Sequence, residues 1–250
     1  MEKIHIDKLL GRYKSEEFTN LIKSWIDNFD SKKILKTDLR EEAFGDDEIL
    51  FSLSNKNSAF FALDIEDDTS KKAYIRQRAY GFSHKYLTAD VRELPFKNDV
   101  FDTIVSSSTL DHFNSEDDLI KSLLELKRVT KIGGNLIIAL NNKHNVIFRL
   151  MLELERTFGL ISYPVQFYSL NNLRKIIDSI GLTIRNESYI VHIISPCNGI
   201  LLLLRRWINK DIVNRLAGMS IYLFRWLGNR KRSKSLSGWF IALNCAKEAS

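Results

Sequence analysis

The sequence predicts an α/β fold, a mostly parallel sheet with helices on both faces. Two observations lead there. The first is a set of short apolar runs that lack polar alternation. Ser58–Ile65 and Asp102–Ser107 are rich in apolar and β-branched residues, as strands buried on both faces are. The second is spacing. Asp38, Asp64 and Asp90 each stand at the end of a strand-like run, and both intervals (38 to 64, 64 to 90) are 26 residues. That length suits a strand, a helix and their connections. Ligands of open parallel sheets bind beyond the carboxyl ends of the strands, so three acids at one end mark the expected site.

With 250 residues, 44% hydrophobic and 27% charged, the chain reads as a single domain over 1–250. Its parts are a helical lead-in at 1–31 and a basic helical insertion at 199–234. Two cysteines, Cys197 and Cys245, make neither a disulfide framework nor a metal cluster, so reduced thiols and no metal are expected. Met1–Asp7 is charged where an export signal needs an apolar core, and a cytoplasmic location is expected. The net charge of +6 is local. Arg205–Lys234 holds nine Lys or Arg against Asp211, a charge of +8, which leaves −2 for the rest. A nucleic-acid partner is therefore not expected.

Phe18, Leu21, Ile22, Trp25, Ile26 and Phe29 recur at helical spacing and give the lead-in one apolar face. It could cover a pocket or simply pack on the sheet. Lys33–Leu39 reads as the first strand, Thr37–Gly45 as a loop and Asp46–Leu53 as a helix, which Asp38 could cap. The second strand ends at Asp64. In dinucleotide-type folds such a carboxylate accepts from two ribose hydroxyls, and Asp64 is assigned that role. With Glu66, Asp67 and Asp68 it would otherwise form a solvated acidic loop. Thr69–Tyr80 is helical, and Lys85–Ala89 is the third strand. Leu94, Pro95 and Phe96 then lead to a turn and to the fourth strand, Asp102–Ser107. Ser115 caps a helix to Thr130, with Leu119, Leu123, Leu126 and Val129 on one face. Gly133 and Gly134 are expected to end it before a fifth strand, Asn135–Leu140.

Asp90-Val91-Arg92-Glu93-Leu94-Pro95-Phe96, then Phe101-Asp102-Thr103-Ile104-Val105, then Leu110-Asp111-His112 resembles the class I S-adenosylmethionine-dependent methyltransferases. The resemblance covers roughly residues 30–247. It implies a Rossmann-like sheet of seven strands in the order 3-2-1-4-5-7-6, with Ser237–Lys247 inserted antiparallel as the last strand. It implies S-adenosylmethionine as cofactor. Asp38 would meet its amino group and Asp90 the adenine amino group, with the Val91 N–H on a ring nitrogen. Thr37, Ser106 and Ser107 would line the pocket. The family's glycine-rich first loop is replaced here by Thr37–Gly45, with one glycine. His112 is the candidate general base, or else it orients its loop.

Helices at Val146–Phe158 and Ser169–Ile180 follow, with Tyr163, Phe167 and Tyr168 where the family builds acceptor surface, and Leu182–Ile193 reads as a strand. The insertion is apolar and basic at once. Its charge-free runs, Ile193–Leu204 and Leu216–Phe224, fall short of the ~20 residues that span a bilayer. A basic, Trp-bearing amphipathic helix suits a membrane surface, so peripheral contact through 200–234 stands beside a packed or dimerising insertion. The resulting expectation is methyl transfer to a small, hydrophobic or lipid-like acceptor. The alternative is an inactive methyltransferase-like binding or membrane-associated scaffold.

Overall fold

The apolar runs at Ser58–Ile65 and Asp102–Ser107 become strands. The structure, a computed structural model, describes residues 8–30, 32–45, 49–157, 159, 163–192, 208–228, 230 and 233–249. The strands are β1 (Lys33–Thr37), β2 (Ala59–Asp64), β3 (Lys85–Thr88), β4 (Phe101–Ser107), β5 (Thr130–Asn141), β6 (Thr183–His192) and β7 (Gly238–Ala246). They form one sheet in the order β3-β2-β1-β4-β5-β7-β6. β1 to β5 are parallel, and β7 is antiparallel to both neighbours, as expected. The helices are α1 (Lys8–Trp25), α2 (Arg40–Phe44), α3 (Ile49–Leu53), α4 (Asp67–Gln77), α5 (Glu116–Val129), α6 (Val146–Thr157), α7 (Leu170–Ser179), α8 (Lys210–Gly228) and α9 (Lys234–Ser237).

Alternating side chains make each central strand serve two cores. Ile34, Phe60, Val105, Ile137 and Phe240 face one, closed by α1, α3 and α8. Leu35, Leu63, Ile104, Leu136 and Ile241 face the other, closed by α5 and α7. The lead-in packs on the sheet, with Phe18 5.4 Å from the Phe240 ring. Cys245 lies in the second core, where burial pushes its thiol up to about 12. Cys197 and most of the apolar run before α8 lie outside the described residues.

Two local expectations are corrected. Thr37–Gly45 is not an open loop, because α2 occupies most of it. Gly45, at φ 86°, caps α2 in the left-handed region, and its N–H donates to the Glu41 carbonyl. Nor do Gly133 and Gly134 end α5. Thr130 does, with extended backbone and its hydroxyl on the Leu126 carbonyl, and β5 begins at once. The glycines serve the strand instead. Gly133 (φ 73°) lies where the β4–β5 register shifts, and a Cβ on Gly134 would sit 2.9 Å from the Lys131 carbonyl oxygen. Residues 46–48, the expected start of the second helix, lie outside the described residues, and α3 runs from Ile49.

Candidate functional site

The sheet order makes β3, β2, β1 and β4 consecutive, so Asp90, Asp64, Asp38 and Ser106 stand along one edge. Thr37 pairs in register with Leu63 on one side and Ser106 on the other. Just beyond β1 and β4, Asp38 (φ 68°) and Ser108 (φ 56°) hold left-handed backbone. Non-glycine residues seldom do so, and such strain gathers at functional sites. Asp38 steadies its own turn, since its Oδ1 accepts the Arg40 N–H at 2.8 Å.

Asp64 is the pin of this edge. Its Oδ2 accepts the Leu39 N–H at 2.9 Å and its Oδ1 the Glu66 N–H at 2.8 Å. A carboxylate has about four acceptor sites, so lone pairs remain for a ligand. Asp90 is gripped by Arg92, whose Nε lies 3.1 Å from Oδ1 and whose Nη2 lies 2.7 Å from Oδ2. Arg92 also reaches Asp118 at 2.8 Å. The hydrogen bonds from Arg92 hold the Asp90 carboxyl below its usual range. The Val91 side chain is buried in the second core. Thr37 Oγ1 donates to Ser106 Oγ at 2.8 Å and meets Thr109 Oγ1 at 3.0 Å. Ser107 Oγ is buried without a hydrogen-bond partner among the described residues.

Under the β1 turn lies a charge cluster that the strand pattern concealed. Lys36, 1% exposed, reaches Glu42 at 2.9 Å and Glu41 at 3.2 Å. Lys14 of α1 reaches Glu41 at 2.7 Å, and Glu42 Oε1 accepts the Leu50 N–H at 2.9 Å. Burial opposes the charge on Lys36, but Glu42, Glu41 and Asp38 overcome it and push its pKa up. The acids divide. Burial would raise Glu41, but Lys14 and Lys36 bring it down to about 2. Burial dominates at Glu42 and, against the pull of Lys36, carries it up to about 7. Burial also raises Asp38 well above its usual value, with Glu41 adding to it. One signal was legible: a lysine inside an apolar strand, followed by two adjacent acids.

His112 follows β4. Its Nδ1 lies 3.1 Å from the Pro164 carbonyl, so Nδ1–H donates there and Nε2 is left to accept. Nε2 lies 3.8 Å from Oδ1 of Asp111, an oxygen with no hydrogen bond among the described residues. Asp111 Oδ2 accepts the Asn141 N–H at 3.1 Å, and burial raises the Asp111 carboxyl. Tyr163 packs edge-on to His112 at 5.2 Å. Sequence reasoning named His112 but passed over Asp111, because nothing local shows that the acid turns inward. The edge thus offers carboxylate acceptors at β2 and β3, hydroxyls at β1 and β4, and a histidine paired with a buried acid. The carboxylates suit the ribose and adenine of a nucleoside. The β1 turn, lacking glycine, meets a ligand with side chains.

Residues 42–138 match the methyltransferase domain family. Over 85 residues the chain is 31% identical to an uncharacterized protein of Methanocaldococcus jannaschii, which covers 34% of this chain and 33% of that protein. The chain thus matches about a third of the length of that curated relative. Among solved structures, a chain from the complex with the Haloferax volcanii Trm112 methyltransferase activator superposes with a TM-score of 0.63 at 16% identity, covering 97% of this chain and 93% of that one. An S-adenosylmethionine-dependent methyltransferase of Methanosarcina mazei gives 0.62 at 12% identity, covering 92% and 98%. Geranyl diphosphate C-methyltransferase of Streptomyces coelicolor, solved with S-adenosylhomocysteine, gives 0.58 at 10%, covering 92% and 78%. At these identities the solved structures establish the fold.

Proposed function

We propose, from the methyltransferase-domain match over residues 42–138 and the fold shared with methyltransferases, that the chain transfers the methyl group of S-adenosylmethionine to a small, hydrophobic or lipid-like acceptor. The observation that carries this is the row of Asp38, Asp64, Asp90 and Ser106 on four consecutive strand ends. Asp64 would accept from the ribose hydroxyls through its remaining lone pairs. Asp90, kept ionised by Arg92, would face the adenine amino group, with the Val91 N–H beside it. Thr37, Asp38, Ser106 and Ser107 would enclose the methionine end. The bound cofactor supplies an electrophilic methyl group. The chain's own task is alignment, because transfer to a good nucleophile needs chiefly proximity. For a hydroxyl acceptor, His112 Nε2 would take the proton, with Asp111 steadying the imidazolium. Tyr163, packed edge-on to His112 at 5.2 Å, offers an apolar ring at the place where an acceptor would lie.

The test is calorimetric titration with S-adenosylmethionine and S-adenosylhomocysteine. Micromolar binding is expected, weakened about tenfold or more in Asp64→Ala. Asp64→Asn, which keeps an oxygen for the Leu39 N–H, separates ligand loss from loop damage. Absence of binding by folded protein overturns the proposal. The second reading, an inactive binding or membrane-associated scaffold, is favoured by the side chains that replace glycine after β1, and binding without turnover on any acceptor supports it. A further neighbour on this fold is a [4+2]-cyclase, so the architecture alone does not dictate the reaction.

A further inference from the structure

Helix α8 is apolar on two separate faces, about 120° apart around its axis. Toward the domain it turns Val213, Ala217 and Phe224, all buried in the first core. Gly228 closes on His192 so tightly that any Cβ there would overlap the imidazole. On the outer face Ile212, Leu216, Met219, Leu223 and Trp226 recur at steps of four and three residues, which aligns them along the helix. All five are exposed, Met219 at 70%, and Tyr222 beside it reaches 77%. A continuous exposed apolar stripe marks an interaction surface, where scattered apolar residues would not.

Charge selects the occupant. Arg215 is exposed one turn before Met219, on the stripe's own side of the helix. The Arg230 guanidinium lies 3.7 Å over the Trp226 ring, and Lys234 begins α9 just beyond. Arg225, by contrast, turns inward to Glu16 and Glu17 of α1. A second copy docking here across a two-fold axis would set this basic strip against itself. Anionic phosphates would neutralise it while the stripe enters the acyl boundary. Trp226 and Tyr222 are the side chains that prefer that boundary. Arg230 can keep its stem on Trp226 with its head toward phosphate. No helix among the described residues is long and apolar enough to cross a membrane.

We propose that the outer face of α8, from Ile212 to Trp226 with Arg215, Arg230 and Lys234 around it, docks the protein on anionic lipid membranes. The test is flotation of the full chain with phosphatidylcholine vesicles, with and without about one third phosphatidylglycerol. Binding is expected only with the anionic lipid and is expected to weaken as salt rises. Met219→Asp combined with Tyr222→Asp should lower it about tenfold or more, with thermal stability unchanged because both sites are exposed. Arg215→Glu, which leaves the apolar stripe intact, should weaken anionic binding several-fold. No flotation, equal binding to neutral vesicles, or binding indifferent to the Asp pair overturns the proposal. So does a dimer in solution that the Asp pair dissociates, since the stripe would then belong to a second copy.

Discussion

The turn after β1 and the turn after β3 share one sheet edge, yet they hold their acids in opposite ways. After β3, Asp90 is paired by Arg92 at the surface, with side chains about a third exposed (34% and 32%). Farther along the same connection, Arg128 binds the Leu94 and Phe96 carbonyls at 3.0 and 2.7 Å and pairs with Glu125. After β1 the pairing is buried. Lys36, 1% exposed, pairs beneath the turn with Glu41 and Glu42, which α2 itself carries. Surface pairs add little to stability and screen readily, whereas a buried set is costly to break. The contrast explains how a turn without glycine keeps a fixed shape. Where glycine would let the backbone adapt to a ligand, this chain braces a helical turn from beneath.

The largest expected effect breaks that brace. Lys36→Met leaves the buried Glu42 without its cation, while Glu41 keeps Lys14, and should cost ~3–5 kcal/mol in urea unfolding. Lys36→Met combined with Glu42→Leu should recover most of it, because an apolar pair needs no counter-charge. A cost under ~1 kcal/mol for Lys36→Met alone would mean that the cluster is solvated, and the contrast would collapse.

Acid separates the brace from the rest of the molecule. His84 and His192 are brought down to about 4, chiefly by burial. An unfolded histidine binds its proton near ~6.5, so the unfolded state gains protons first as pH falls. Stability should therefore drop by ~2–3 kcal/mol per histidine between about pH 6.5 and 4. Glu41, brought down to about 2, contributes stability that is present above its unfolded value near ~4.3 and lost as pH falls toward 2. Glu42, carried up to about 7, takes its proton first in the folded state and offsets part of that loss between about pH 7 and 4.3. His84→Gln should therefore remove one histidine's share and flatten the curve above about pH 4, leaving the Glu41 loss below it.

Smaller effects sharpen the β3 side. Arg128→Ala removes two ties to backbone carbonyls and should cost ~2 kcal/mol by chemical denaturation. Arg92→Ala should cost under ~1 kcal/mol, with the difference shrinking in raised salt. A loss from Arg92→Ala as large as that from Lys36→Met would erase the distinction between the two turns.

Much of this architecture was legible in short stretches. The strands at Ala59–Asp64 and Phe101–Ser107 follow from apolar runs, and α5 from its Ser115 cap and leucine spacing. These signals are local, because strand burial and helix capping depend on residues a few positions apart. The positions of Thr37, Asp38, Asp64, Asp90, Ser106 and His112 at strand ends followed from the same runs. Their partners did not. Arg92 sits two residues from Asp90 and could have been suspected, but Pro164, which fixes His112, lies 52 residues away.

The alternation of strands and helices, the acidic strand ends and the apolar, basic insertion before the last strand are all written in the chain. Hydrophobic period and charge spacing are properties of the chain before it folds. Only the tertiary structure decided that Thr37–Gly45 would be helical, that Asp64 would pin Leu39, and that Lys36, Glu41 and Glu42 would share a buried site with Lys14. The physical reason is desolvation. A lysine in a strand reads as an exposed residue until α1 covers it, and the free energy of its charge is then set by whichever acids the fold brings within reach.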